Sequence, residues 1–435
     1  MKTLQGLKNT AADALAMCLE AGAEKASCSV SQGLLRELNV EDGKVNLMRS
    51  NFNSSLRLIV LRDGRKGTVS VNDLSPESIR RAAKDCVEAA DAAKPDDANC
   101  IASLTENADF SEGIAECDET ALYDATMEYL DTVKSDYPLV TIENLISSYS
   151  RSESVLLNTN GVDYSERQGS YSISAGFSSS DGDDTTSLTG CGVDFLGFDK
   201  KLIELGDQRR VFDRCVKELG ASPLGADGKF TGKMLMSPEC AADLVGSAIG
   251  LFLSDGVIID GTSPWRSKLG QKVASDKLTL SCIPHDSRIV CGERVHSDGY
   301  ISEDFDYIKD GVLKSFDLSE YGARKTGGER AKASSSCIGI APGETPLEDL
   351  IKGVDRGIYI CRFSGGEPSV AGDISGVAKN SFLIENGRIA RPLCETMVSF
   401  NIAEMVMNIL DISKETVCDG SSVLPWVLSD GVTVS

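Results

Sequence analysis

Beyond residue 278 this 435-residue chain is cut into short alternating segments by Lys309-Asp310-Gly311, Ala341-Pro342-Gly343, Glu385-Asn386-Gly387 and Ser429-Asp430-Gly431. A two-residue period lays apolar side chains on one face of a strand, and Asp-Gly or Asn-Gly supplies the positive-φ backbone of a tight hairpin. Many short strands with few helical windows between them make a β-rich domain. The same signals recur near the start, where Asp42-Gly43 and Asp63-Gly64 punctuate an alternating stretch through Val71, after strands at residues 27–31 and 34–40.

Helical signals flank these strands. Leu4, Leu7, Ala11, Ala14, Leu15 and Cys18 share one stripe, with Lys8 and Glu20 breaking any continuous apolar run, so the first twenty residues read as an amphipathic helix and not as a signal peptide. Ser75-Pro76-Glu77 supplies a cap, a first-turn proline and a favourable charge ahead of Ile79, Ala82, Ala83, Cys86, Val87 and Ala90. Further helices are expected at 119–136, 209–219, from Ser237 onward, and at 402–409. Strands are expected at 139–150, on either side of Asn158-Thr159-Asn160-Gly161, at 171–177, and at 382–384. The fold class is therefore α+β, with an N-terminal α/antiparallel-β region followed by a β-rich C-terminal domain. The expected units are an N-terminal α+β domain (1–93), a polar linker (94–118), a middle α+β region (119–220) and the β-rich domain (221–435), whose helix starts near Ser237. No repeat at a solenoid period is present.

With 44 Lys plus Arg against 66 Asp plus Glu, the formal charge is -22. Such a chain repels phosphate backbones, which argues against direct nucleic-acid binding. The longest apolar run, residues 244–253, is about half of a bilayer span, so no membrane helix is expected. Fourteen cysteines with no Cys-x-x-Cys pair suit a reducing cytoplasm. In the Ser-, Asp- and Thr-rich run 178–187, Asp181 and Asp183 mimic a calcium loop, but Gly192 falls where the bidentate glutamate belongs, which favours a solvated loop.

Few residues offer chemistry. In Ser237-Pro238-Glu239-Cys240-Ala241-Ala242-Asp243, Glu239 and Asp243 lie four apart on one helical face. They admit two readings: a carboxylate pair gripping a hard cation, or a helix start in which Ser237 caps, Pro238 fills the first turn and Glu239 complements the dipole. The two histidines, His285 and His296, each lie near an aspartate, but there is no Gly-x-Ser-x-Gly elbow and no local cysteine-protease signature.

The runs 340–351, Gly357-Ile358-Tyr359-Ile360, Gly372-Asp373-Ile374-Ser375, Phe382-Leu383-Ile384-Glu385-Asn386-Gly387 and Tyr321-Gly322-Ala323-Arg324-Lys325-Thr326-Gly327, with Leu156-Leu157-Asn158-Thr159-Asn160-Gly161, closely resemble the TldD/PmbA metallopeptidase family. One branch of that family carries His-Glu-x-x-x-His and is catalytic; the PmbA/TldE branch lacks it and pairs with the first. Pro238 and Asp243 stand where the two histidines would be, so the resemblance implies the second branch: a non-catalytic subunit of a cytosolic heteromeric metalloprotease that processes or degrades unfolded peptides. It implies a TldD-like homologue, or a second copy, as dimer partner, and zinc in the catalytic partner only, with none bound by this chain. Cys418 is a possible relic ligand, and Gly372, Asp373 and Ser375 a possible substrate-region turn that suits a structural role equally well. The family's older label, modulator of DNA gyrase, fits poorly with direct DNA contact at this charge. An independent hydrolase or a homodimeric peptide-binding module is the alternative.

Overall fold

The computed structural model describes residues 2–41, 43–104, 106–225 and 228–435. The N-terminal unit runs α1 (Leu4–Glu20), β1 (Lys25–Glu41), β2 (Lys44–Arg62), β3 (Arg65–Val71), α2 (Pro76–Ala92), β4 (Asn107–Gly113), α3 (Glu119–Asp136), β5 (Val140–Asn158), β6 (Asp163–Asp181), β7 (Asp184–Thr185), β8 (Thr189–Phe195) and α4 (Gln208–Lys217). Its strands form one sheet in the order β3-β2-β1-β5-β6-β4, with β7 and β8 also paired to β6. Ser75 Oγ accepts from the Ser78 amide and Pro76 opens α2, so that the helix lays Ile79, Ala82, Ala83, Cys86, Val87 and Ala90 on the sheet as the sequence predicts. The contact is so close that a Cβ at Gly67 of β3 would lie 2.0 Å from the Cys86 carbonyl oxygen. Only glycine fits there.

Three expectations need correction. Residues 27–31 and 34–40 are one strand, β1, which passes straight through Gly33; a glycine followed by Leu34-Leu35 interrupts the alternation and imitates a break. The stretch 94–118 contains β4, which pairs parallel with β6. It is therefore not simply a linker, and residues 1–93 and 119–220 are not separate domains, because β1 pairs with β5 over fifteen residues and the two regions share a sheet. β4 was unreadable because it is a polar strand, Asn-Ala-Asp-Phe-Ser-Glu-Gly, at a sheet edge. Asp63 and Gly64 form the β2–β3 hairpin turn with φ of 49° and 70°; Gly43 has φ 69°, while Asp42 lies outside the described residues.

The C-terminal domain runs β9 (Phe230–Met236), α5 (Pro238–Phe252), α6 (Asp255–Ile259), β10 (Leu280–Cys282), β11 (Val295–His296), β12 (Tyr300–Ile301), β13 (Phe305–Lys309) and β14 (Val312–Leu313). It continues with α7 (Glu320–Thr326), β15 (Ile338–Ile340), α8 (Leu347–Lys352), β16 (Arg356–Gly365), β17 (Asp373–Glu385) and β18 (Arg388–Leu393). The last elements are β19 (Thr396–Asn401), α9 (Ile402–Met407), β20 (Ile409–Cys418) and β21 (Val423–Val434). In the eleven-stranded sheet β9 pairs with both β16 and β21, so β9, β16, β17, β19 and β21 close a ring. α5 packs Leu244, Ala248, Ile249 and Phe252 into the main core beside it. Asp310-Gly311 and Asn386-Gly387 make hairpin turns with all four φ positive. Asp430-Gly431 does not: it is a bulge inside β21, where the register with β9 shifts between Ser429 and Val432. The helix expected at 402–409 ends at Met407, and Ile409 already begins β20. Among the described residues no helix is long and apolar enough to cross a membrane.

The two units are tied by ion pairs and hydrogen bonds. Lys325 Nζ lies 2.7 Å from Asp96, Arg294 Nε lies 2.6 Å from Glu112, and the Asp194 amide donates to the Asp419 carbonyl at 2.8 Å. α4 bridges them: Phe212 stacks on Phe177 at 4.2 Å within the N-terminal core, while Arg214 reaches the start of α5.

Candidate functional site

Ser237 is fully buried; its Oγ accepts from the Cys240 amide at 3.4 Å and donates to the Cys361 carbonyl at 3.3 Å, which pins the start of α5 to β16. Pro238 follows as the first helical residue. Glu239 and Asp243 then project from the first turns into a cleft of about 570 Å³ between the two units. Its other walls are β8, through Gly190, Cys191 and Gly192, and the end of β20 with the following loop, through Val417 and Asp419. A second groove of about 370 Å³ continues along α5 past Gly246 and Gly250, bounded by Asp317 and Ser336.

Within this cleft the glutamate is already engaged. Glu239 Oε1 lies 3.5 Å from Nη2 of Arg214, a guanidinium 9% exposed. Asp243 is exposed; partial desolvation and then the Glu239 charge push its carboxyl above the usual range, against the pull of Arg362. Cys191 is the thiol that lines this cleft. Its Sγ donates to Gln208 Oε1 at 3.3 Å, and burial pushes it up to about 12, so near neutrality it stays protonated and is neither a nucleophile nor a ready metal ligand.

Zinc needs imidazole nitrogens or thiolates around it. Pro238 offers no donor, Glu239 is paired with Arg214, and Asp243 contributes one carboxylate. Cys418 lies near in sequence to the cleft residues Val417 and Asp419, but its Sγ contacts the Arg288 carbonyl at 3.4 Å and packs by Ile289, Cys337 and Val423. This donor set does not fit zinc. Among the described residues no three His, Cys, Asp or Glu side chains converge as metal ligands.

The remaining candidates lie elsewhere. Gly372 has φ +96°, and a Cβ there would meet Phe252 Cζ at 3.0 Å. Asp373 accepts from Asn401 Nδ2 at 3.0 Å and from Ser369 Oγ at 3.1 Å, and Ser375 Oγ contacts Ser399 Oγ at 2.8 Å. These residues hold a turn against the far end of α5. His285 Nε2 bonds the Ser302 carbonyl at 2.7 Å, and His296 Nδ1 accepts from the Asp298 amide at 3.1 Å. Asp181 pairs with Asp184 across the β6–β7 hairpin, whose Gly182 has φ 61°. Sequence reasoning missed Arg214, Cys191 and Asp419. The available signal was an arginine at 214 beside Phe212 and Cys215 in an otherwise amphipathic helix, a charge placed against a buried face.

The profile of the PmbA/TldA metallopeptidase C-terminal domain matches residues 229–435, and that of domain 1 matches residues 26–90. Metalloprotease PmbA of Escherichia coli O157:H7 is 24% identical over 455 residues, covering 95% of this chain and 94% of that protein. A metalloprotease of Methanothermobacter thermautotrophicus is 24% identical over 430 residues, covering 92% and 90%. The crystal structure of TldE from Thermococcus kodakarensis superposes with a TM-score of 0.82 at 17% identity over 98% of this chain and 100% of that one, which establishes the shared fold. With a fold in common, two family domains matched and relatives aligned over nine-tenths of both chains, this chain belongs to the PmbA/TldD family of metallopeptidases.

Proposed function

We propose that this chain is the non-catalytic, PmbA/TldE-like subunit of a two-component cytoplasmic protease, and that its cleft holds a stretch of unfolded peptide while a TldD-like homologue supplies zinc and hydrolysis. The supporting observation is the state of Glu239: flanked by Pro238 and Asp243 in place of metal ligands, it is paired with a buried arginine. With no metal ligands around it, this carboxylate has no metal-bound water whose proton it could take. The cleft suits an extended chain, because β8 pairs with β6 on one side and presents Gly190 and Gly192 on the other. An edge strand of that kind accepts a peptide backbone by β-augmentation.

The test is elemental analysis and a peptidase assay on untagged protein, alone and after mixing with a His-Glu-x-x-x-His homologue from the same cell. The isolated chain should carry well under one zinc and leave an unfolded substrate intact, and the mixture should form a complex and cleave it. About one zinc per isolated chain with chelator-sensitive hydrolysis overturns the reading.

A further inference from the structure

On the other side of α4 from the cleft lies a separate cavity of about 500 Å³, enclosed by α4, α8, β16, β17 and β18. Helical spacing brings Arg210, Arg214 and Lys217 to one stripe of α4, and Arg391 of β18 faces them across the opening; Asp213 is the one acid in the lining. In a chain of formal charge -22 this is an unusual concentration of cations. The floor and walls are apolar: Tyr359 and Phe382 are buried, and Ile389 is 45% exposed at the rim.

The cations are incompletely satisfied. Arg210 shares its charge with Asp207 at 3.1 Å and lies over the Trp426 ring at 4.5 Å. Among the described residues, Arg391 donates to neutral acceptors, among them Ser222 Oγ at 2.7 Å and the Pro223 carbonyl at 3.2 Å. Lys217 is exposed and has no ion-pair partner among the described residues. Arg214 is the telling group. It is 8% exposed, its Nε has no hydrogen-bond partner among the described residues, and its carboxylate contact, Glu239, stands at 3.5 Å. A guanidinium has five donors, and a buried one this poorly matched is costly until an anion reaches it.

We propose that this cavity binds a carboxylate carried on an apolar body, with the carboxylate between Arg214, Lys217 and Arg391 and the apolar part against Tyr359, Phe382 and Ile389. Inorganic phosphate supplies the charge but leaves the apolar walls wet; a neutral hydrocarbon does the reverse. Volume and lining match an ordinary small-ligand site. The inference does not depend on the subunit reading, since none of its probes requires a catalytic partner. It does link the two sites, because the guanidinium that would meet the ligand also holds Glu239.

The probe is 3-phenylpropionate, titrated calorimetrically into the full chain, with 3-phenylpropanamide and inorganic phosphate as controls. The acid should bind saturably at one site, with both controls at least about tenfold weaker. Lys217→Met, an exposed change that leaves the core intact, should weaken the acid about tenfold, and Arg391→Met similarly. Glu239→Gln should tighten it several-fold, because Arg214 then shares its charge with no cleft carboxylate. An N-acetyl tripeptide ending in a free phenylalanine carboxylate, against its C-terminal amide, separates the sources. Preference for the free peptide assigns the site to peptide C-termini, and binding of the small acid alone assigns it to a free carboxylic acid. Equal binding of acid and amide, no binding up to millimolar concentration, or a folded Lys217→Met protein with unchanged affinity overturns the proposal.

Discussion

Replacing Glu218 by Gln should stabilise the protein above neutral pH and leave it unchanged in mild acid. Glu218 ends α4 and is 5% exposed; its Oε2 accepts from Asn380 Nδ2 at 2.8 Å. Glu218 Oε1 and Asn380 Oδ1 are both buried without partners among the described residues, although each is an acceptor. Burial dominates and raises this carboxyl from 4.5 to about 7, against the Asn380 bond and the attraction of Arg214 and Arg362. A carboxyl raised in the folded state stabilises it fully below the unfolded pKa, and that stability is lost as pH rises through the folded one, here between 4.5 and about 7. At 1.36 kcal/mol per pH unit the loss is about 3 kcal/mol. Glutamine keeps the acceptor for Asn380 Nδ2 and adds a donor for Asn380 Oδ1, with no charge to bury. Urea denaturation of both proteins at pH 5 and pH 8 reads the difference. The variant should gain about 2–3 kcal/mol at pH 8 and little at pH 5. A variant no more stable than the parent at pH 8, or a parent whose stability is flat between these values, refutes the reasoning.

Gly372→Ala should destabilise by about 1–3 kcal/mol in the same assay, because the backbone is at φ +96° and the new methyl meets Phe252. Ser237→Ala removes the cap of α5 and its bond to Cys361, an expected loss of about 1 kcal/mol. Pro238→His combined with Asp243→His should raise zinc affinity in a metal titration without restoring peptide hydrolysis, since Arg214 still holds Glu239. Adding Cys418→Ser should leave that affinity unchanged, because the thiol faces the Arg288 carbonyl; a large loss would show that the thiol turns into the cleft.

What the sequence revealed depended on whether the signal was local. The Ser75-Pro76 start of α2, the span Glu119–Asp136 of α3 and the Asp63-Gly64, Asp310-Gly311 and Asn386-Gly387 hairpins are written in neighbouring residues, and all stand where expected. Pairing is not local. The polar β4 gives no alternation to read, yet it joins β6, and β1 crosses Gly33 because Leu34 and Leu35 find partners on β2 along one edge and β5 along the other. The same division runs through the site. The capped start of α5 was legible, whereas the arginine that reaches Glu239 comes from α4, and only the packing of the two units brings it there.

Arg214 also changes what the surviving glutamate means. If Pro238 and Asp243 stand in for metal ligands, as the proposed function has it, Glu239 invites reading as the remnant of a general base. Its place gives it two structural tasks that require no metal: it complements the positive end of the α5 dipole, and it is the nearest carboxylate to a guanidinium 9% exposed. Removing one member of such a pair leaves the buried charge uncompensated, which typically costs more than the intact pair contributes. Half of Glu239 faces the cleft, which lowers that cost, but Arg214 has no comparable outlet to water. A glutamate at this position is therefore held by folding whether or not any water is ever activated beside it.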